Sequence, residues 1–200
     1  DPETANTYEV AFDYRASFDW RVGFNLFYYD IEDLIDFVPN AQGAQVAQNV
    51  GRQQGNGFEL ETEWKASDAL TIVANYAWQR AEDEELDEDV ARTPEQQAYL
   101  RAHWTLPHNW SLTGEAKWIA DRNREPLDPR DPMDDYTIAN LNIEKQKLFE
   151  RLDLGLRVRN LFDENATEPS PYEAVPSGSL MPDDFPLEER SVHLTARVRF

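Results

Sequence analysis

Polar and apolar residues alternate along nine segments of this chain, and this two-residue period constrains the fold more than any other feature of the sequence. Residues 20–28 show the pattern clearly: every second residue from Trp20 to Tyr28 is apolar, and Arg21 and Asn25 are among those between them. Because side chains point alternately to the two faces of a strand, this period predicts two-faced strands. The nine predicted strands are residues 8–14, 20–28, 58–64, 70–78, 98–106, 110–118, 136–144, 152–158 and 192–200.

One of the nine segments breaks the alternation. In residues 136–144, Ala139, Leu141 and Ile143 lie on one predicted face, but Tyr136 and Ile138 are out of phase with them. A β-bulge, which inserts one extra residue into a strand, would restore the phase. We therefore predict a bulge in this strand.

The connections between the predicted strands alternate strictly between short and long. The short ones are 16–19, 66–69, 107–109 and about 146–150, and the long ones are about 31–56, 80–96, 121–135 and 163–190. Long loops are uncommon in compact soluble domains, whereas transmembrane β-barrels have short periplasmic turns and long extracellular loops. The sequence thus predicts an all-β, antiparallel portion of a transmembrane β-barrel with about nine strands.

Aromatic residues concentrate near both ends of the predicted strands, and aliphatic residues fill the middle. The residues predicted at the short-turn ends are Trp20, Trp64, Trp104, Trp110 and Phe200, and those towards the long loops are Tyr28, Trp78, Trp118 and Tyr136. Tryptophan and tyrosine are favoured at the two membrane–water interfaces. We therefore predict an aromatic girdle at each interface, with the apolar face between them in contact with lipid.

Composition excludes several classes of function. The chain has 39 acidic and 19 basic residues, a net charge of −20, which argues against nucleic-acid binding because that needs a basic surface. It has no cysteine, so disulfides and thiolate metal sites are excluded. No apolar run of about 18 residues, as a transmembrane helix requires, is present. A soluble, acidic β-barrel or sandwich that binds a partner remains an alternative, because alternation alone does not say what covers the apolar face.

The sequence shows no arrangement of residues typical of an enzyme, and we predict no catalytic, cofactor or metal site. His103, His108 and His193 are too far apart in sequence to indicate a shared metal site, and no nucleophile has a recognisable base beside it. The acidic runs at 82–89 and 128–135 contain oxygen ligands of the type that Ca²⁺ prefers. Neither has the spacing of a calcium-binding loop, so solvated loops are the favoured interpretation.

Several short motifs resemble the barrel of the TonB-dependent receptors, and they occur in the family's order along nearly the whole chain. The most specific is Asn160, Leu161, Phe162 and Asp163, which is similar to an "NLfD" motif near the end of that barrel. The last strand ends in Phe200, which resembles the carboxyl-terminal signal for outer-membrane insertion. The other matching segments are 3–10, 28–33, 49–51 and 57–61.

This resemblance implies an outer-membrane protein that imports a nutrient such as a metal–siderophore chelate, with energy supplied through TonB. It also implies that residues 1–200 are the carboxyl-terminal portion of a barrel of about 22 strands, and that earlier strands and a plug domain precede them. The expected partners are lipid, the plug, TonB and the barrel-insertion machinery. A passive, porin-like channel is the alternative within the membrane class.

Overall fold

The computed structural model describes residues 2–40, 43–85, 87–126, 128–172 and 183–199. Twelve strands lie within these ranges, joined in one place by a short 3₁₀ turn at Pro107–Asn109. The strands are β1 (Thr4–Ser17), β2 (Trp20–Pro39), β3 (Gln45–Ser67), β4 (Leu70–Asp83), β5 (Glu88–Asp89), β6 (Pro94–Leu106), β7 (Trp110–Arg122), β8 (Tyr136–Leu148), β9 (Leu152–Arg159), β10 (Thr167–Glu168), β11 (Phe185–Pro186) and β12 (Ser191–Val198).

Nine long strands form one antiparallel meander in the order β1-β2-β3-β4-β6-β7-β8-β9-β12. Each long strand overlaps one of the nine predicted from sequence, so the antiparallel all-β prediction is confirmed. The two-residue strand β5 pairs with β4, and β10 pairs with β11 outside the main sheet. The sheet is open, because no strand of the described residues joins β1 to β12.

Strands β2 and β3 are much longer than the sequence predicts. Residues 31–56 were expected to be a loop, but the two strands remain paired as far as Pro39 and Gln45, and only residues 40–44 connect them. Polar cross-strand contacts stabilise this extension, as between Arg52 and Asp30 at 3.0 Å. A register shift near Asp33, whose φ is +59°, changes the facing of the side chains beyond it. The loop prediction was therefore wrong for most of this segment.

The bulge predicted in β8 is absent. Tyr136 to Lys145 pair with β7 in unbroken register, from Ile119 opposite Tyr136 to Trp110 opposite Lys145. Tyr136 and Ile138 instead lie on the polar face of the sheet, where Tyr136 is almost fully buried. Their partners there are Ile119, Ala166 and Leu187, which form a small apolar cluster with them. The expectation that Tyr136 belongs to the outer aromatic girdle was thus also wrong.

The sheet has one apolar face and one polar face. The apolar face remains largely exposed, and its exposed large side chains include Phe12, Phe24, Leu60, Leu100 and Leu194. Few apolar residues are buried in the described part of the chain, and they lie at the end of the sheet away from the short turns. The apolar side chains therefore do not pack inward into a closed core, as a soluble barrel would require.

Cross-strand aromatic contacts join strands on the apolar face. Trp20 lies opposite Trp64, with ring centroids 6.5 Å apart, and its indole N–H donates to Thr62 Oγ1 at 2.9 Å. Phe58 contacts both Phe24, at 6.2 Å between centroids, and Trp78, at 6.1 Å. Such pairs contribute roughly 0.5–1.5 kcal/mol each beyond the area they bury, so the aromatic residues also help to set the register.

Candidate functional site: the polar face and the outer loops

The two ends of the sheet differ, and we call the end opposite the short turns the outer end. Trp20, Trp64, Trp104 and Trp110 lie at the short-turn ends of their strands, and each is between 43% and 48% exposed. Trp78 and Trp118 lie nearer the outer end, where they pair with Gln96 and Thr137 respectively. Four of the six tryptophans thus lie near the short turns and two lie towards the outer end, and the two girdles in contact with lipid remain a prediction.

The polar face carries charged residues of both signs, with glutamates concentrated on β3 and arginines on β9 and β12. Glu59, Glu61 and Glu63 lie on β3, and Glu61 is 3.6 Å from Arg21 of β2. Arg157 lies on β9 and Arg197 on β12, which are the fifth and sixth strands from β3 in the sheet. The glutamates and these arginines therefore form two patches, and Arg101 lies between them on β6, with its Nε 3.7 Å from Glu115.

Each patch lines a groove. The acidic groove, of about 560 Å³, includes Asp13, Glu59 and Glu61 with Asn25 and Asn75. The basic groove, of about 420 Å³, includes Arg157, Arg159, Arg197, Arg199 and His193. In the basic groove Arg199 is bound to Asp153, with Nε 3.0 Å from Oδ2. His103 of β6 also lies on this face, between the patches, and its Nδ1 is 2.8 Å from Thr113 Oγ1.

The NLFD motif forms the turn that ends β9. Asn160 is 2% exposed and has a φ of +46°, a left-handed conformation that asparagine tolerates better than most residues. Its side-chain amide donates to the carbonyl oxygens of Glu164 at 2.8 Å and Glu188 at 3.1 Å, and its Oδ1 accepts from the Glu164 N–H at 2.8 Å. One side chain thus ties the start of the β9–β12 connection to its end.

The other members of the motif have distinct positions. The Leu161 N–H donates to the Ala139 carbonyl of β8 at 2.7 Å. Asp163 accepts from the Arg190 N–H at 3.1 Å and from its guanidinium at 3.0 Å. Phe162 is 74% exposed. Phe200, the predicted insertion signal, lies outside the described residues.

Hydrogen bonds and ion pairs join the β7–β8 connection to the β9–β12 connection at the outer end. We call this region the loop junction, and it is formed by Arg122, Arg124, Asp128, Arg130, Ser170 and Asp184. Arg124 binds Asp184 through two hydrogen bonds of 2.8 and 2.7 Å. Arg130 binds Asp128 and also donates to Ser170 Oγ at 2.7 Å. The sequence indicated only a solvated acidic loop at 128–135, and these contacts show that arginines hold part of it in place.

Arg122 is the buried centre of the loop junction. Its side chain is 1% exposed, and it lies over the Tyr136 ring, with the guanidinium carbon 4.7 Å from the centroid. It donates to the Thr167 carbonyl at 2.6 Å and to the Asp134 carbonyl. Tyr136 in turn donates to Glu168 at 2.7 Å. Arg122 therefore holds both connections against the end of β7.

The ion pairs of the loop junction change the acidity of its carboxyl groups. The hydrogen bond from Arg124 lowers the pKa of Asp184 against the opposing effect of burial. The hydrogen bond from Arg130 likewise lowers the pKa of Asp128. Both carboxylates therefore stay ionised down to a lower pH than an isolated aspartate does.

The acidic run at 82–89 folds back on itself as β4 and β5. Glu82 lies opposite Asp89, which binds Arg80 at 2.9 Å, and Glu84 binds Arg52 at 2.9 Å. Across the described residues no group of three or more histidine, aspartate or glutamate side chains is placed to hold a metal ion. No helix in that part of the chain is long and apolar enough to cross a membrane.

An open antiparallel sheet with an exposed apolar face, short turns at one end and ordered loops at the other is a segment of an outer-membrane β-barrel wall. Residues 1–161 match the family model described as "TonB dependent receptor-like, beta-barrel". The chain belongs to the TonB-dependent receptor family, whose members are transporters and receptors of the Gram-negative outer membrane rather than enzymes. The soluble binding module is thereby excluded.

The match to a known relative includes most of this chain but only a small part of the relative. The Vitamin B12 transporter BtuB of Vibrio vulnificus (strain YJ016) is 25% identical over 166 residues, which are 81% of this chain and 25% of that transporter. The chain thus spans about a quarter of the length of this curated relative.

Solved structures of two receptors share the fold. The Ferric-Catecholate import receptor Fiu from K12 E. coli superposes with a TM-score of 0.76 at 23% identity, over 100% of this chain and 28% of that one. The ferric yersiniabactin uptake receptor FyuA from Yersinia pestis gives 0.78 at 18% identity, over 99% and 30%.

Proposed function

We propose that this chain forms wall and outer loops of a TonB-dependent importer that carries a metal chelate or a similar nutrient across the outer membrane. The observation that carries the proposal is the sheet itself: its apolar face is exposed between two levels of tryptophan, and its other face is lined with charge. Family membership supports active import as the purpose of such a wall.

Residues 1–200 are proposed to be the carboxyl-terminal portion of the barrel. The open edges at β1 and β12 support this, because unpaired backbone groups in lipid each cost several kcal/mol and would pair with further strands. The acidic and basic grooves would then face the lumen and contact a plug domain that other parts of the protein supply. TonB and the barrel-insertion machinery are the remaining expected partners.

The nature of the cargo is inferred from the relatives. Two of them are named for the compounds that they transport, vitamin B12 and ferric catecholates. A cargo of this kind would be captured by the outer loops, which the loop junction and the NLFD turn hold in defined positions.

Uptake by cells tests the proposal directly. The gene for the full-length receptor would be deleted, and uptake of a ferric catecholate, a ferric trihydroxamate and cobalamin would be measured with and without a functional tonB gene. We expect uptake of at least one cargo to fall to background in both the receptor deletion and the tonB deletion. Restoring the receptor on a plasmid should restore uptake only where TonB is present.

A porin would give a different result. Uptake that requires the receptor but continues without TonB, or in the presence of a proton ionophore, would identify a passive channel. Normal uptake of every cargo by the receptor deletion would contradict the import function.

A further inference from the structure

The charge of this chain is concentrated at its outer end. Four outer segments lie beyond the cross-strand pairs Tyr28–Asn56, Trp78–Gln96, Trp118–Thr137 and Val158–Val192. These segments are residues 29–55, 79–95, 119–136 and 159–191. They contain 26 acidic and 8 basic residues, whereas the rest of the chain contains 13 and 11. The outer segments therefore carry −18 of the net charge of −20, and the remainder is close to neutral.

Every basic residue of the outer segments is already bound to a carboxylate. All eight are arginines, and all eight lie in the part of the chain that the structure describes. The pairs are Arg52–Asp30 at 3.0 Å, Arg80–Asp89 at 2.9 Å, Arg92–Glu125 at 3.2 Å, Arg122–Glu168 at 3.3 Å, Arg124–Asp184 at 2.7 Å, Arg130–Asp128 at 2.6 Å, Arg159–Glu188 at 3.1 Å and Arg190–Asp163 at 3.0 Å.

This pairing decides which ligands the outer end can receive. Arg122, Arg124 and Arg130 are also largely buried, so an anionic ligand could reach them only by displacing their carboxylates. The other five arginines are about half exposed, but a bound carboxylate already offsets the charge of each. A cationic ligand meets no such obstacle, since exposed carboxylates such as Glu85, Asp87 and Glu88 project from the β4–β6 connection. A surface with charge of one sign also raises the nearby concentration of ligands with the opposite charge. This effect extends about one Debye length from the surface.

Resting on the proposed import function, we infer that the cargo of this receptor is a metal chelate of net positive charge. The outer segments attract it and exclude polyanionic ferric chelates. The near-neutral strands beneath them do not oppose its further passage. The inference concerns the charge of the cargo and requires no metal site in the protein.

A charge series built on one chelate tests this inference. A linear ferric trihydroxamate with a free terminal amine is cationic, its acetylated form is neutral and its succinylated form is anionic, while the metal centre is unchanged. Receptor-dependent uptake of the three forms would be measured in cells that carry the full-length receptor. We expect the cationic form to enter about tenfold faster than the anionic form at low ionic strength, and the difference to shrink as salt is added.

Two triple variants with equal change in net charge provide the matched control. Glu85→Gln, Asp87→Asn and Glu88→Gln remove three exposed carboxylates from the outer end. Asp19→Asn, Asp68→Asn and Glu150→Gln remove three exposed carboxylates from the short turns. The first variant should reduce the preference for the cationic chelate several-fold, and the second should leave it unchanged.

The inference and the import function fail in different ways. Equal or faster uptake of the anionic form, or an equal effect of both triple variants, overturns the charge inference. Absence of receptor-dependent uptake for all three forms overturns it as well, because it names a chelate as the cargo. In the same cells, TonB-dependent uptake of cobalamin through the receptor would show that the import function itself stands.

Discussion

Asn160 shows how much one buried polar side chain organises in this molecule. It satisfies two carbonyl groups and one N–H at opposite ends of the β9–β12 connection, while its own backbone takes a left-handed turn. The motif could be recognised from the sequence, but the sequence did not reveal this role. Its partners Glu164 and Glu188 lie 4 and 28 residues away, and no local pattern predicts the second contact.

Replacing Asn160 should destabilise the receptor through these lost hydrogen bonds. Asn160→Gly keeps the left-handed backbone accessible but removes three hydrogen bonds, each of which contributes about 0.5–1.5 kcal/mol. Asn160→Ala should cost about 1 kcal/mol more, because alanine resists a positive φ. The urea midpoint of the full-length receptor in detergent measures both. Phe162→Ala, in the same motif but exposed, should lie within about 0.5 kcal/mol of the parent; a change equal to that of Asn160→Gly would contradict the account.

The Arg124–Asp184 pair should make the loop junction sensitive to acid. Because the pKa of Asp184 is lowered in the folded state, its stabilising contribution is complete above the usual value of 3.8 and is lost as the pH falls through the lowered value. The protection factors for amide exchange in residues 122–136 and 166–172, which compare the observed rate with the intrinsic rate at each pH, should therefore fall only below about pH 4. Asp184→Asn should show faster exchange at neutral pH and a weaker pH dependence. An unchanged exchange rate in that variant would show that the pair does not hold the junction.

At the scale of the strand, the sequence predicts much but not everything. The two-residue period locates all nine long strands, because burial of one face imposes that period wherever a strand has two different environments. It misses the outer halves of β2 and β3, because register shifts near Asp33 interrupt the two-residue period in β2 and residues 45–56 of β3 are mostly polar. It misassigns Tyr136 and Ile138, because loops folded over the polar face create a second apolar environment there. The loop junction has no sequence signal, since Arg124 and Asp184 are 60 residues apart.

Gly57 provides a test of how closely β3 packs against its neighbours. A Cβ at this position would lie 2.5 Å from the Trp78 carbonyl oxygen and 2.6 Å from the Phe27 ring. Because one of these atoms is backbone, Gly57→Ala should destabilise the sheet by about 1–3 kcal/mol. Gly114→Ala in β7 is the matched control, since a Cβ there meets nothing within 4 Å. The heat-induced mobility shift of the folded receptor on gels should occur at a lower temperature for Gly57→Ala alone; equal shifts for the two variants would contradict this packing.

At the scale of the whole molecule, the sheet behaves as a wall between two environments. One face exposes aliphatic and aromatic side chains, the other is lined with charge, and nearly all of the net charge lies at the outer end. A sheet with this distribution does not bury its own apolar face, and we propose that lipid covers it. The six tryptophans are then predicted to mark the two depths at which that lipid ends.

Depth-dependent fluorescence quenching tests this central claim most directly. The full-length receptor would be reconstituted in bilayers that contain lipids brominated either near the headgroup or at the end of the acyl chain. Trp20, Trp64, Trp78, Trp104, Trp110 and Trp118 would be replaced by phenylalanine one at a time, so that each difference spectrum reports one ring. The account predicts that each ring is quenched by both lipids, and more strongly when the bromine is near the headgroup. Rings that escape quenching by either lipid but are quenched by an aqueous agent would contradict the account.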